Sequence, residues 1–190
     1  MAGFLWTKCW FRLQLLLHLL EMTSNQTYRL SSTTETQKLA ETFGESVQQG
    51  TVLALIGDLG SGKTTFTQGF AKGFGVTESV GSPTFKIVSE YNCRKGKLVH
   101  VDCYRLKGSD DFLNIDGESI LNAVDAVTLI EWADIIQPIL PPDTVYLRFS
   151  HCYDDMNSRN LTINPNLVFG KNLIMSQIYL NFDDPSFIIP

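Results

Sequence analysis

Eight consecutive residues, Gly57-Asp58-Leu59-Gly60-Ser61-Gly62-Lys63-Thr64, fit the spacing G-x-x-x-x-G-K-[ST] in full. Glycines at these positions let the backbone turn so that several N–H groups converge on phosphate oxygens. Lys63 supplies a compact cation for β and γ phosphates, and Thr64 a hard oxygen of the kind Mg2+ accepts. A helix starting here aims the positive end of its dipole at the same anions. The residues expected to hold a nucleotide are therefore Leu59, Gly60, Ser61, Gly62, Lys63, Thr64 and Thr65. A dinucleotide is not expected: in the G-x-G-x-x-G pattern Gly60 and Gly62 would need glycine where Thr65 stands.

Binding alone does not make a catalyst, because hydrolysis also needs a metal-side carboxylate and a group that orients water. Two acids stand out. Asp102 lies in His100-Val101-Asp102-Cys103-Tyr104-Arg105, and Glu131 ends the apolar run Val127–Ile130 just before Trp132. Strand ends in sheets of this class open toward the nucleotide, which favours both acids over plain solvated strand ends. Arg105 reads either as a charge stabiliser or as a partner in a structural ion pair.

These residues need a scaffold, and the surrounding pattern supplies one. Val52-Leu53-Ala54-Leu55-Ile56 is a continuous apolar run of the kind found in a central strand covered on both faces. It leads into the glycine-rich loop and then a helix from Lys63 to about Phe74, with Phe66, Phe70 and Phe74 on one face as core and Gly75 as terminator. An earlier helix, about 33–48, starts at Ser32-Thr33-Thr34-Glu35, which has capping-box spacing. Leu39, Phe43 and Val47 form its core stripe, and Gly50 stands where a left-handed cap is wanted.

Beyond Pro83, Phe85–Tyr91 and Leu98–Tyr104 around a turn at 92–97 read as an antiparallel hairpin. Short helical turns are expected at Asp110–Asn114 and Ser119–Val124, then the strand carrying Glu131. Pro138, Pro141 and Pro142 break the chain before a strand at Thr144–Phe149 and a last one near Asn160–Ile163. The expected architecture is α/β: a single-domain P-loop NTPase with a mixed, mostly parallel central sheet flanked by helices.

Composition bounds the partners. With 190 residues, 44% hydrophobic and 18% charged, the chain suits one domain with a real core. A formal charge of -5 argues against unaided grip on nucleic acid. Arg94, Lys95 and Lys97 form the densest basic patch, read as a solvated turn. Cys9, Cys93, Cys103 and Cys152 show neither a C-x-x-C pair nor metal-type spacing with His100 or His151, so they read as reduced thiols in a cytoplasmic chain.

Residues 1–21 are apolar but interrupted by Lys8 and Arg12, with no small-residue cleavage site. They read as an upstream extension and not as a targeting or membrane-spanning segment. The domain is expected over 22–165, and the tail 166–190 has no clear period.

Four segments taken together, Gly57 to Phe66, Ser82-Pro83-Thr84-Phe85, His100-Val101-Asp102-Cys103-Tyr104-Arg105-Leu106 and Ile130-Glu131-Trp132, resemble the successive signatures of the TsaE family in order and spacing. The resemblance covers about Thr27 to Arg148. It implies that Thr84 is a switch-like threonine near the γ phosphate, Asp102 a functional acid near the nucleotide, Glu131 a magnesium-site acid, and Trp132 an aromatic flanking the site. The segment before the first helix would lie near the adenine, which nominates Thr33. It further implies ATP and Mg2+ as ligands, and TsaD and TsaB as partners in transferring a threonylcarbamoyl group to an adenosine beside the tRNA anticodon. Contact with tRNA would be indirect, and no membrane is involved. The chain has no N-K-x-D run of guanine-specific proteins, which favours ATP.

Two rival readings use the same loop. A small-molecule kinase would need an Arg-bearing lid, yet the arginines after the loop, Arg94, Arg105, Arg148 and Arg159, are never paired at lid-like spacing. A non-catalytic nucleotide-dependent switch would use ATP to order Ser82–Phe85 for a partner.

Overall fold

The computed structural model describes residues 25–165. The extension expected at 1–21 and the tail expected at 166–190 lie outside the described residues, as does Cys9. Among the described residues the elements are β1 (Gln26–Leu30), α1 (Thr33–Ser46), β2 (Val52–Ile56), α2 (Lys63–Phe74), β3 (Val88–Cys93), β4 (Gly96–Asp102), α3 (Ser109–Leu113), α4 (Gly117–Leu121), β5 (Ala126–Glu131), β6 (Val145–His151) and β7 (Arg159–Pro165).

The strands make one sheet in the order β1-β7-β6-β2-β5-β4-β3. The ladders β6/β2, β2/β5 and β5/β4 are parallel, and antiparallel ladders close both edges. The mixed sheet with a parallel centre is thus the expected α/β architecture. The parallel centre matters for function because β2, β5 and β4 all end on the same edge, so whatever follows each strand meets there.

Side-chain alternation decides which face each residue serves. Leu53, Leu55, Leu98, Val127 and Leu129 pack on one face beneath Leu39, Phe43, Phe66, Phe70 and Phe74 of α1 and α2. Val52, Ala54, Val99, Val101 and Ile130 pack on the other, against Phe112, Leu121 and Ile136. Asp102 and Glu131 follow the first alternation, which puts both acids on the face that carries α2.

The two long helices pack with little between them. A Cβ added at Gly69 would strike the Gln37 carbonyl, one at Gly73 the Glu41 carbonyl, and one at Gly44 the Phe70 carbonyl. Matching Gln37 to Gly69 and Glu41 to Gly73 makes the helices parallel, so both start at the sheet edge where the acids lie. Ser32 caps α1 as expected, accepting from Glu35 N–H at 3.2 Å, while the Glu35 carboxylate accepts from Ser31 N–H at 2.7 Å, one residue earlier than in the usual box.

Several local expectations shift. Gly50 does adopt a left-handed φ of 76°, but α1 ends at the extended Val47, and Gly50 instead makes the turn into β2 with its N–H on the Ala126 carbonyl at 2.7 Å. Phe85–Ile87 is not strand: Lys86 and Ile87 N–H groups bond back to the Pro83 carbonyl, and Ile87 takes a φ of 68°, so β3 starts at Val88. Pro138 sits inside a 3-10 stretch, Ala133–Ile139, rather than in open loop. Lys95 is no free cation, because its ammonium donates at 3.0–3.2 Å to the Gly44, Glu45 and Gly73 carbonyls at the C-terminal ends of α1 and α2. Lys97 pairs with Glu90 at 3.1 Å.

Candidate functional site

The loop between β2 and α2 owes its shape to three glycines with positive φ: Gly57 at 150°, Gly60 at 74° and Gly62 at 105°. At Gly57 a side chain would also strike the Phe149 carbonyl of β6. The crown is braced from the far strands, where the Arg159 guanidinium donates to the Gly60 carbonyl through Nε and Nη2, both at 3.2 Å. His151 Nε2 lies 3.4 Å from the Leu59 carbonyl.

Beneath this loop opens a cleft of about 490 Å³, within the range of small-ligand sites. It is lined by Leu59 to Thr65, by Ser82, Thr84, Asp102 and Tyr104, and by Glu131 and Trp132. Every residue expected to bind the nucleotide or metal or to act in catalysis lies along it except Thr33, and Arg105, one of whose two readings was a charge stabiliser, is also absent. Thr33 opens α1, whose start shares this edge of the sheet, but it is exposed and outside the cleft wall.

Lys63 is 5% exposed, and its ammonium donates to the carbonyls of Gly57 at 2.6 Å and Asp58 at 2.9 Å. It also stands 4.0 Å from the Trp132 ring centroid. Burial pulls its pKa below the ordinary lysine value, and the charges of Glu131, Asp102, Asp134 and Asp58 oppose that pull. Trp132 reaches this position through a left-handed backbone, φ 56°, strained for so large a residue, and its ring meets that of Tyr104 at 5.1 Å.

The acids are arranged differently. Glu131 is 2% exposed; its Oε2 accepts from the Thr64 hydroxyl at 2.9 Å, and its Oε1 lies 2.9 Å from His100 Nε2. Asp102, also 2% exposed, accepts from the hydroxyls of Ser82 and Thr84 at 2.6 Å each through Oδ2, and from Tyr104 N–H at 3.0 Å through Oδ1. One acid thus grips α2, and the other grips the segment Ser82–Thr84. Asp102 N–H bonds to the Ile87 carbonyl at 2.9 Å, which closes the turn that carries Thr84.

Thr64 Oγ1 and Glu131 Oε2 form a pair of hard oxygens beside the phosphate loop, the donor chemistry that suits Mg2+. Among the described residues no group of three or more His, Cys, Asp or Glu could hold a metal ion by itself. An ion at this pair would complete its shell with phosphate and water oxygens, the usual habit of Mg2+ at nucleotide sites.

Three contributors escaped the sequence reading. Ser82 and Tyr104 sit inside motifs singled out for their neighbours, and Ser82 carried a signal in being two residues from Thr84. His100 is two residues before Asp102 on the same strand face, a period-2 relation the sequence did contain. Arg105 is neither a charge at the cleft nor an ion-pair partner in the described contacts; its guanidinium lies 4.3 Å from the Phe85 ring centroid.

A sequence profile described as "Threonylcarbamoyl adenosine biosynthesis protein TsaE" matches residues 30–161. The tRNA threonylcarbamoyladenosine biosynthesis protein TsaE of Bacillus subtilis is 39% identical over 132 residues, which cover 67% of this chain and 79% of that protein. Its namesake in a Nostoc species is 35% identical over 150 residues, covering 76% and 90%. Among solved structures, the crystal structure of YdiB from Bacillus subtilis superposes with a TM-score of 0.69 at 30% identity, over 84% of this chain and 97% of that one. Among the described residues no helix is long and apolar enough to cross a membrane.

Proposed function

The chain belongs to the TsaE family, and from that premise we propose that it is a cytoplasmic Mg-ATP-binding and hydrolysing subunit serving tRNA threonylcarbamoyladenosine biosynthesis. It would act with TsaD and TsaB, and its contact with tRNA would run through them. The observation that carries this reading is the convergence of Lys63, Thr64, Thr84, Asp102 and Glu131 on one cleft headed by the glycine loop and the start of α2.

The chain's own groups divide the work. Amides from Leu59 to Thr65 cradle the phosphates, and the Lys63 ammonium, held on loop carbonyls, swings to the anion that outcompetes them. The Thr64 hydroxyl, which donates to Glu131, turns its lone pair into the cleft, and Glu131 holds that hydroxyl and the ion's shell in place. Mg2+ when bound would offset the charge that develops on the β and γ phosphoryl oxygens. Asp102 keeps Ser82 and Thr84 against the γ-phosphate end, where a hydroxyl and a carboxylate together can orient water. Past Thr65 the base would extend toward the start of α1, with Thr33 as the residue at its flank.

The kinase reading finds no support in its arginines: Arg159 is committed to Gly60, and Arg105 covers Phe85. The switch reading has one observation in its favour, the tie between Asp102 and Thr84, because a γ phosphate competing for Thr84 would release or reorder that turn. Phosphate release with and without TsaD, TsaB and tRNA, alongside a scan of small acceptors, separates the three. Partner-stimulated release supports the ATPase, acceptor phosphorylation replaces it with the kinase, and slow release that partners cannot raise replaces it with the switch.

A further inference from the structure

His100 is fully buried, touches no residue of the phosphate loop in the contacts described above, and ends its Nε2 2.9 Å from Glu131 Oε1. Its other ring nitrogen, Nδ1, is buried without a partner among the described residues. A carboxylate oxygen only accepts, so the contact places a proton on Nε2, which is donated to Glu131 Oε1.

Glu131 is therefore held from two sides of different character. Oε2 faces the cleft and Thr64, on the side where an ion would sit. Oε1 faces the interior and His100, a contact that no ligand in the cleft reaches. Register explains why: Asp102 lies level with Glu131 across the β4/β5 ladder, and His100 is two residues back on the same face of β4, behind the acid.

We propose that His100 is a positioning residue that locks the Glu131 carboxylate with one oxygen turned to the metal side of the cleft. Its donated N–H removes the rotation that would otherwise let Glu131 present either oxygen or swing away. This rests on the reading of Glu131 as the metal-side acid. Outer partners of metal-binding groups contribute about 10–100-fold to metal affinity in comparable sites.

The test compares ATP affinity by calorimetry in Mg2+ and in EDTA, the ratio reporting the ion's contribution. His100→Met, similar in bulk but without a donor, is expected to lower that ratio about tenfold while leaving affinity in EDTA unchanged. His100→Gln places an amide N–H at the same number of bonds from the backbone and is expected to retain the ratio within about twofold. An unchanged ratio in a folded His100→Met, or equal loss in both variants, overturns the proposal. Glu131→Gln separates the two levels: if it leaves the ratio intact, the metal-side reading of Glu131 fails, and if it lowers the ratio while His100→Met does not, the positioning role alone fails. Nitrogen-15 NMR of the parent protein needs no variant to fold. It should show a proton on His100 Nε2 before and after Mg-ATP, and a bare Nε2 would overturn the proposal.

Discussion

Replacing Glu131 by Gln separates the fold from the chemistry. The amide keeps both partners of the carboxylate: its oxygen accepts from His100 Nε2–H, and its N–H donates to Thr64 Oγ1, at sites now spanned by 2.9 Å contacts. Each bond loses its charge assistance, but a 2%-exposed charge is also removed, and its desolvation cost goes with it. These changes oppose each other, so unfolding free energy should move by no more than about 1 kcal/mol. Turnover should fall tenfold or more, at least about 1.4 kcal/mol of barrier, because the neutral amide no longer attracts the ion or fixes Thr64 as a lone-pair donor. Glu131→Ala is the control for packing. It strands the buried His100 N–H, at about 1–3 kcal/mol, and leaves the cleft-side Thr64 hydroxyl unheld, and should lower both stability and turnover. Denaturant melts and phosphate release on the same preparations read the two effects. Parental turnover in Glu131→Gln, or a loss of stability well beyond about 1 kcal/mol, would refute the reasoning.

Asp102→Ala should keep nucleotide binding but lose turnover tenfold or more, since it frees Ser82 and Thr84 and uncaps Tyr104 N–H; steady-state kinetics with partners decide it. Gly73→Ala should destabilise despite alanine's better helix propensity, worth about 1 kcal/mol, because the new methyl meets the Glu41 carbonyl. A net cost of about 1–3 kcal/mol would lower the melting temperature by several degrees in a thermal scan. Burial pushes the Cys103 thiol up to about 12, so at pH 8 only about one molecule in ten thousand carries the thiolate there. Iodoacetamide at pH 8 should leave Cys103 unmodified in the folded protein and alkylate it on unfolding, as peptide mass mapping would show.

The sequence made the centre of the fold legible because there local pattern and tertiary role coincide. Val52–Ile56 is apolar on both faces, and the glycine spacing after it permits one loop; the observed β2 and α2 have the expected bounds. Legibility failed where a group outside the segment's own pattern decides. Phe85–Ile87 has strand-forming residues, yet the Pro83 carbonyl captures two N–H groups and bends the segment, which brings Thr84 under Asp102. Lys95 looked like a solvated turn charge, but the carbonyl ends of two helices, brought together by glycine contacts far from it in sequence, claim its ammonium. Thr33 was nominated only through the family resemblance, with no residue pattern of its own, and it stands exposed at the first turn of α1. His100 was visible as a residue but not as a partner, because only the β4/β5 register places it behind Glu131.

The proposal that the cleft between Lys63, Thr64 and Glu131 holds Mg-ATP is tested most directly by calorimetric titration of ATP into the protein, in Mg2+ and in EDTA and at two temperatures, with Lys63→Ala as the companion titration. Saturable uptake at one site, tighter with Mg2+, is expected, with no measurable uptake by Lys63→Ala. No saturable uptake by the parent at either temperature, or equal binding by Lys63→Ala, would contradict it.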